Sequence, residues 1–289
     1  MIPLIVTSKD RAAQTHALLS SLKANGPQFK PTVLWAASDL SYRESYWTLE
    51  AENPDVEFIT EANFHKDFCY LVRNQESDYI MFATDDDIMY RKPEIDEDEL
   101  DTVFSEACCV SLRLGDNTTV QDTHRGTTSA RPQMMYEYKD FLFWPWRYVH
   151  TSSNFAYPLS VDCHIFDRLE ILDIIKQTEF HNPNSLECNW QKHLPSLRGF
   201  MASNRISSVV NTPLNRVQDT CQNLAGQFFG KTAEELNKDF RMGLRINFEG
   251  MDFSNIVGAH QELPIVYDTK FSPKIIEGEF PWITSNTME

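Results

Sequence analysis

The first ninety residues alternate between short apolar segments and segments with helical periodicity, and this alternation limits the possible folds. The apolar segments are 2–6, 32–37, 56–60 and 79–83, and the helical segments are 11–24, 41–52 and 64–74. Parallel strands need a long crossover between them, and a helix usually supplies it. Four strands separated by three helices therefore predict an α/β protein with a doubly wound, mostly parallel sheet.

The pattern continues more weakly through the second half of the chain. It predicts helices at 95–107, 168–177, 185–193 and 232–243, and strands at 109–114 and 206–210. Two helices have the spacing of a capping box and should begin at its first residue: Ser41 with Glu44, and Thr232 with Glu235. Nine aromatic residues between positions 136 and 158 are either core or a platform for a sugar ring.

The fourth apolar segment runs directly into three carboxylates, Asp85, Asp86 and Asp87. Adjacent carboxylates repel one another, so folding alone gives no reason to place them together. A divalent cation does give one, because Mn²⁺ and Mg²⁺ prefer oxygen ligands and bind through one or two carboxylates plus substrate phosphates. Ligands of open α/β sheets also bind at the carboxyl ends of strands. The alternative is a solvated acidic turn.

Composition excludes several classes of function. The chain has 289 residues and a net charge of −16, which disfavours nucleic-acid binding. It contains no long apolar run, so we expect no transmembrane segment. We read no signal peptide at the N-terminus, and the six cysteines show no zinc-site spacing. We therefore expect a cytoplasmic protein with reduced thiols.

The first strand is followed by polar residues instead of a glycine-rich loop. Thr7, Ser8 and Arg11 stand where a dinucleotide fold would have G-x-G-x-x-G. Hydroxyls and an arginine at a helix N-terminus can hold a ribose or a diphosphate. Asp39, after the second strand, is placed to meet a ribose hydroxyl. The alternative for these residues is capping of the helices that follow.

Several segments in order resemble GT-A type nucleotide-sugar glycosyltransferases. The segments are PLIVTSKDR at the first strand, Ala37-Ser38-Asp39, NFHKDF at 63–68 and YIMFATDDDI at 79–88, whose triplet resembles the D-x-D motif of that family. YPLSVDCHIF at 157–166, HNPNSLE at 181–187 and PLNRVQD at 213–219 resemble small bacterial and large-virus members. The resemblance covers most of residues 1–220.

The resemblance implies a GT-A like fold and a division of labour along the chain. Residues 1–115 would bind the nucleotide sugar, and 116–289 would form the acceptor-binding half and a closing segment of the same domain. The implied donor-binding residues are Thr7, Ser8, Arg11, Asp39, Lys66, Asp67, Asp86, His164 and Arg216. The implied ligands of a Mn²⁺ or Mg²⁺ ion are Asp85, Asp87 and His260, although a lone histidine is more often structural. His164 and Arg216 have structural alternatives too.

A transfer reaction also needs a base to take the proton of the acceptor hydroxyl. Glu187 is the candidate, because it follows Asn182-Pro183-Asn184 at the start of a predicted helix, and Asp162 is the second candidate. The alternative for Glu187 is an ordinary acid in the first turn of a helix. One base without a second nucleophile favours inversion at the sugar carbon.

The sequence therefore predicts a metal-dependent, inverting glycosyltransferase of glycan or polysaccharide biosynthesis. The donor would be a nucleotide-diphosphate sugar, with UDP as the nucleotide, and the acceptor a glycan or glycoconjugate. A sugar-nucleotide nucleotidyltransferase would need a glycine-rich loop after the first strand, which Thr7–Arg11 lacks. A haloacid-type phosphatase would carry its acids on the first strand. A non-catalytic metal- or carbohydrate-binding module would leave the alternating strands and helices unexplained.

Overall fold

The computed structural model describes residues 1–123, 126–215 and 226–268. The strands are β1 (Ile2–Lys9), β2 (Phe29–Ala36), β3 (Glu57–Thr60), β4 (Tyr79–Thr84), β5 (Asp87–Met89), β6 (Ala107–Ser111), β7 (Val120–Asp122), β8 (Thr127–Thr128), β9 (Tyr136–Tyr138), β10 (Phe141–Trp144), β11 (His164–Asp167), β12 (Phe200–Asn204) and β13 (Val209–Asn211). The α-helices are α1 (Ala12–Asn25), α2 (Leu40–Glu52), α3 (Phe64–Arg73), α4 (Glu97–Glu106), α5 (Arg168–Lys176), α6 (Pro183–Trp190) and α7 (Ala233–Arg241).

Nine strands form one sheet in the order β3-β2-β1-β4-β11-β6-β12-β10-β9. The pairs among β1, β2, β3 and β4 are parallel, as is the pair of β6 and β12. Only β11 and β10 run against their neighbours, so the other seven of the nine strands share one direction. The predicted α/β class with a mostly parallel sheet is confirmed. Strands from both predicted halves belong to this sheet, and the boundary at residue 115 stays a prediction.

Alternate side chains of the central strands serve two hydrophobic layers on opposite faces of the sheet. Leu4 and Val6 of β1 pack in one layer with Leu18 of α1. Ile5, between them, packs in the other layer with Phe68 of α3. Successive side chains of a strand point to opposite sides, so each central strand contributes to both layers. This explains why these strands read as continuous apolar runs in the sequence.

The capping predictions had two outcomes. Thr232 and Glu235 form a capping box at the start of α7, as predicted. The box predicted for Ser41 and Glu44 is wrong, because α2 begins at Leu40 and is capped by Asp39. The Oδ1 atom of Asp39 accepts from the Ser41 N–H at 2.7 Å and the Tyr42 N–H at 3.2 Å. A carboxylate two residues upstream already satisfies the amides that need a cap.

The aromatic segment contributes mainly to the core. Trp144 and Phe155 are fully buried, and the Trp144 indole donates to the Phe155 carbonyl at 2.8 Å. Tyr148 instead has 83% of its surface exposed. Over the described part of the chain, no helix combines the length and the apolar character needed to span a bilayer.

Candidate active site

The ends of β1 and β4 bring the first strand's polar residues next to the acidic triplet. Thr7 pairs with Thr84 in the parallel register of the two strands. Ser8 donates its hydroxyl to Asp85 Oδ2 at 2.9 Å, and the Lys9 N–H approaches the same oxygen at 3.3 Å. Side chains far apart in the sequence thus meet at the carboxyl edge of the sheet, where ligands of α/β proteins bind.

Arg11 joins the triplet to the chain after β13. Its Nη1 donates to Asp85 Oδ1 at 2.9 Å and to Asp86 Oδ2 at 3.2 Å. Its Nε donates to the side chain of Asn215 at 2.9 Å, and its Nη2 donates to the carbonyl of Asn215 at 2.5 Å. Two hydrogen bonds therefore join this guanidinium to two carboxylates, and two more join it to Asn215.

The three carboxylates of the triplet differ in their ionisation. Burial raises the pKa of Asp85 to about 6, although Arg11 opposes the rise. Burial would raise the pKa of Asp86 as well, but Arg11 and two hydrogen-bond donors outweigh it and lower that pKa. Asp87 is fully buried, and burial together with the charges of Asp162 and Asp86 raises its pKa well above the ordinary value.

Thr84 lies at the centre of the acidic cluster. Its Oγ1 lies 2.9 Å from Asp86 Oδ1, 3.3 Å from Asp87 Oδ2 and 3.2 Å from Asp162 Oδ1. A hydroxyl carries a single hydrogen and donates to one acceptor at a time. Asn211 Nδ2 donates to Asp86 at 2.8 Å and Asp87 at 3.1 Å. The carboxylates of Asp86, Asp87 and Asp162 are therefore grouped around one hydroxyl.

This close grouping of carboxylate oxygens fits a hard divalent cation. Among the residues that the structure describes, no group of three His, Cys, Asp or Glu side chains could hold a metal by itself. Mg²⁺ and Mn²⁺ sites that act on phosphates commonly use one or two carboxylates and take the remaining oxygens from the substrate. Asp86 is the most accessible carboxylate of the triplet, with 11% of its side chain exposed, and Asp87 lies next to it. The donor set is suited to a cation that arrives with a diphosphate.

Asp162 and His260 meet behind this cluster at a buried arginine. Arg113 Nη1 donates to Asp162 Oδ2 at 3.0 Å and to His260 Nε2 at 2.8 Å. His260 Nδ1 lies 3.3 Å from Asn211 Oδ1, so both ring nitrogens have partners. Coordination of a metal by His260 would require its ring to leave Arg113, and that role stays a prediction.

Glu187 approaches the same turn from α6. The helix is capped by Asn182 and begins at Pro183, so Glu187 lies in its second turn and the predicted start near residue 185 is wrong. Glu187 Oε1 accepts from the Ser160 hydroxyl at 2.7 Å and from the Val161 N–H at 2.8 Å. Burial, followed by the charge of Asp162, raises the pKa of Glu187 to about 7, against the opposing effect of Arg113.

Other predicted residues lie apart from the cluster or behind it. Asp39 is exposed and caps α2, and Asp67 accepts from the Ala62 and Asn63 amides at the start of α3. Lys66 is exposed on α3. His164 is fully buried. Arg216 lies outside the described residues, and the donor-binding roles of all five stay predictions.

Sequence reasoning missed Thr84, Asn211 and Arg113. Thr84 and Asn211 end short apolar strands, and a polar residue at such a position was the available signal. Arg113 interrupts the apolar segment predicted as a strand at 109–114. An arginine within an apolar strand is seldom buried without a partner.

Comparison with known proteins gives structural likeness only. No family model and no curated protein matches the chain. TarS of S. aureus matches over 72% of this chain and 36% of its own, with 12% identity and a TM-score of 0.46. The galactosyltransferase LgtC, solved with donor and acceptor sugar analogues, matches over 82% and 96%, with 9% identity and a TM-score of 0.37.

A third match is the mannosyltransferase PcManGT of Pyrobaculum calidifontis, solved with GDP-Man and Mn²⁺. It covers 61% of this chain and 46% of its own, with 11% identity and a TM-score of 0.35. The chain thus spans well under two thirds of the length of TarS and of PcManGT. At such identities and scores the likeness does not extend to a donor, a metal or an acceptor.

Proposed function

We propose that this protein is a glycosyltransferase that uses a nucleotide-diphosphate sugar, with UDP as the nucleotide, a divalent cation and a carbohydrate acceptor. One observation supports the proposal most strongly. The carboxylates of Asp86, Asp87 and Asp162 surround Thr84 Oγ1 at distances of 2.9–3.3 Å, at the carboxyl edge of the sheet. Glu187, whose pKa is raised to about 7, adjoins the turn that carries Asp162.

A diphosphate can approach this acidic edge only with positive charge between the two. Arg11 offsets part of the charge of Asp85 and Asp86. The sequence predicted Asp85 and Asp87 as ligands of Mn²⁺ or Mg²⁺. Because Asp85 accepts from both Ser8 and Arg11 and is less exposed than Asp86, we propose Asp86 with Asp87 instead. The bound cation would act as a Lewis acid that stabilises the nucleotide diphosphate as it leaves. Arg11 Nη1 donates to Asp85 and Asp86 and so keeps the acidic loop, residues 85–87, in one conformation while the donor binds.

Glu187 is the residue we propose as the base. Its Oε1 is held by Ser160 and Val161, while its Oε2 forms no hydrogen bond within the described ranges. That oxygen can accept the proton of an acceptor hydroxyl, and a pKa near the working pH suits a general base. Asp162 is the second candidate, but its two oxygens already contact Thr84 and Arg113. A single base acting on the acceptor corresponds to an inverting reaction.

The proposal is tested first by thermal shift with UDP, GDP and CDP, each with Mn²⁺ or with EDTA. We expect one nucleotide to raise the melting temperature only with metal, because a ligand stabilises the state that binds it. Stabilisation by the ion alone, without a nucleotide effect, would indicate a metal-binding module.

Turnover is tested by slow hydrolysis of UDP-sugars, in which water replaces the unknown acceptor. Release of UDP that depends on Mn²⁺ supports a transferase. Release of pyrophosphate from a nucleoside triphosphate and a sugar phosphate would indicate a nucleotidyltransferase instead.

A further inference from the structure

Arg113 is a buried cation that the proposed reaction does not yet use. Only 2% of its surface is exposed, and it lies two residues beyond the end of β6. Besides the bonds of its Nη1 to Asp162 and His260, its Nε donates to His164 Nε2 at 3.4 Å. One guanidinium therefore contacts a carboxylate and two imidazoles at once.

These contacts determine where the histidine hydrogens lie. A guanidinium only donates hydrogen bonds, so the Nε2 atoms of His164 and His260 must both accept, and each neutral ring must carry its hydrogen on Nδ1. The partners of the two Nδ1 atoms are consistent with hydrogens at those positions. His164 Nδ1 lies 3.0 Å from the Pro158 carbonyl, which only accepts. His260 Nδ1 lies 3.3 Å from Asn211 Oδ1, while the amide nitrogen of Asn211 donates to Asp86.

The same contacts join three segments that are distant in the sequence. Asp162 lies in the turn that leads into β11, and His164 is the first residue of β11. His260 belongs to a segment that runs beside β13, where the Asn211 N–H donates to the Ala259 carbonyl at 3.0 Å and the Gln261 N–H donates to the Asn211 carbonyl at 2.8 Å. Arg113 thus ties the C-terminal segment to the turn that also contacts Glu187.

We propose that Arg113 is a positioning residue: it holds Asp162, His164 and His260 in one arrangement, with both rings in the Nδ1–H tautomer. These three side chains form a wall between the acidic loop and Glu187, and this wall is in place before any ligand binds. Burial, with the nearby guanidinium, lowers the pKa of His164 to about 3, which keeps that ring neutral. The effect on transfer rests on the proposed function, but the tautomers do not.

The tautomers are measured by ¹⁵N NMR of the full chain labelled at its eight histidines, in EDTA at neutral pH. His164→Gln and His260→Gln assign the two ring signals. We expect a protonated Nδ1 and an unprotonated Nε2 in both rings of the parent protein. A protonated Nε2 in either ring would overturn the proposal without any variant of Arg113.

Arg113→Lys tests the positioning role itself. Lysine keeps the charge near Asp162 but has a single nitrogen in place of the separate Nε and Nη1 that contact the two imidazoles. We expect at least one ring to leave the Nδ1–H tautomer, and UDP-sugar hydrolysis to fall by about 10–100-fold, the usual effect of losing a supporting contact. Donor affinity should change less than about twofold, because Arg113 supports the wall and does not hold the nucleotide.

Arg245→Lys is the matched control. Arg245 is also buried, and its guanidinium donates to Glu52 of α2 at 2.9 Å and to the Phe240 carbonyl of α7 at 2.7 Å. We expect this variant to lower the melting temperature while both tautomers and hydrolysis remain as in the parent. An equal loss of hydrolysis in the two variants would overturn the positioning role. A parent protein without hydrolysis would count against the proposed function and leave the tautomer test standing.

Discussion

Two groups of acids at the same edge of the sheet are held in different ways. In the acidic loop, Asp86 accepts from the guanidinium of Arg11, and this charge lowers its pKa against the effect of burial. Within the described residues, the carboxylate of Glu187 accepts only from the neutral Ser160 hydroxyl and the Val161 amide, and burial with the adjacent charge of Asp162 raises its pKa to about 7. Asp86, which also accepts from Thr84 and Asn211, therefore stays charged, whereas Glu187 can exchange a proton near neutral pH. Arg11 alone is not sufficient, because burial still raises the pKa of Asp85 to about 6.

This difference assigns separate tasks to the two groups. A permanently charged carboxylate is suited to holding a cation and its phosphate ligand, and a carboxylate that gains and loses a proton is suited to base catalysis. The four predictions below test this division, from the largest expected effect to the smallest.

Glu187→Gln should have the largest effect. Glutamine keeps the shape of the side chain and its acceptor oxygen but cannot take a proton, so UDP-sugar hydrolysis or transfer should fall by about 10²–10⁴-fold. Donor affinity, measured by calorimetry with Mn²⁺, should remain close to that of the parent. In the parent, the rate should rise with pH through about 7 as Glu187 ionises.

An active Glu187→Gln enzyme would shift the role of base to Asp162, and Asp162→Asn is the variant that decides this. Activity in both variants would contradict the single-base, inverting mechanism.

Asp86→Asn should abolish most of the metal-dependent nucleotide binding. Its carboxylate is the least buried of the triplet, and loss of a charged ligand should weaken Mn²⁺-dependent UDP binding by about 1.5–3 kcal/mol. Calorimetry of UDP with Mn²⁺ and with EDTA measures the effect. The control is Asp55→Asn, an exposed acid near the start of β3. Equal UDP affinity in the two variants would remove Asp86 from the site.

The stability of Glu187→Gln should depend on pH. The pKa of Glu187 rises from its ordinary 4.5 to about 7 on folding, so the folded parent holds a proton that the unfolded chain releases. This contribution to stability is complete below about pH 4.5 and is lost as the pH rises through about 7. Glutamine does not titrate, so the variant should gain about 1–2 kcal/mol over the parent between pH 5.5 and 8, after allowance for partial exposure.

Urea unfolding at the two pH values measures this gain. The control is Glu50→Gln on the surface of α2, which should show no change with pH of this size. A constant difference between parent and Glu187→Gln would mean that the acid is not perturbed by its surroundings.

Asp39 gives the smallest expected effect and separates capping from nucleotide binding. Asp39→Ser retains a cap, whereas Asp39→Ala removes it and should lower the melting temperature. If the carboxylate also binds the nucleoside, both variants should weaken UDP binding equally. Unchanged binding in both would leave Asp39 as a helix cap alone.

The strands and helices of the first ninety residues could be predicted because their signals are local. β4 was predicted at 79–83 and is found at Tyr79–Thr84, and the third helix, predicted at 64–74, is found at Phe64–Arg73. β11 and β12 were missed, since each is short, and β11 directly precedes a helix whose pattern dominates that part of the sequence.

The candidate site shows the same limit. The acidic triplet could be recognised from three adjacent aspartates in the sequence. Glu187 could be recognised because the segment HNPNSLE resembles a known family. Nothing local links Arg113 to His260, 147 positions further along the chain. Arg113 follows β6, and His260 lies beside β13, which pairs with β5 directly after the acidic end of β4, so their contact depends on strands from several parts of the chain.

The sequence by itself determined the α/β class, the acidic end of the fourth strand and the residue types available for binding a cation and a diphosphate. These follow from the periodicity of apolar residues and from the chemistry of side chains, which are properties of short segments. Only the tertiary structure decided that Arg11 stays on Asp85 and Asp86, and that Glu187 has neutral partners beside the charge of Asp162. Burial and distance control ionisation, and both are set by segments that meet only when the whole sheet has formed.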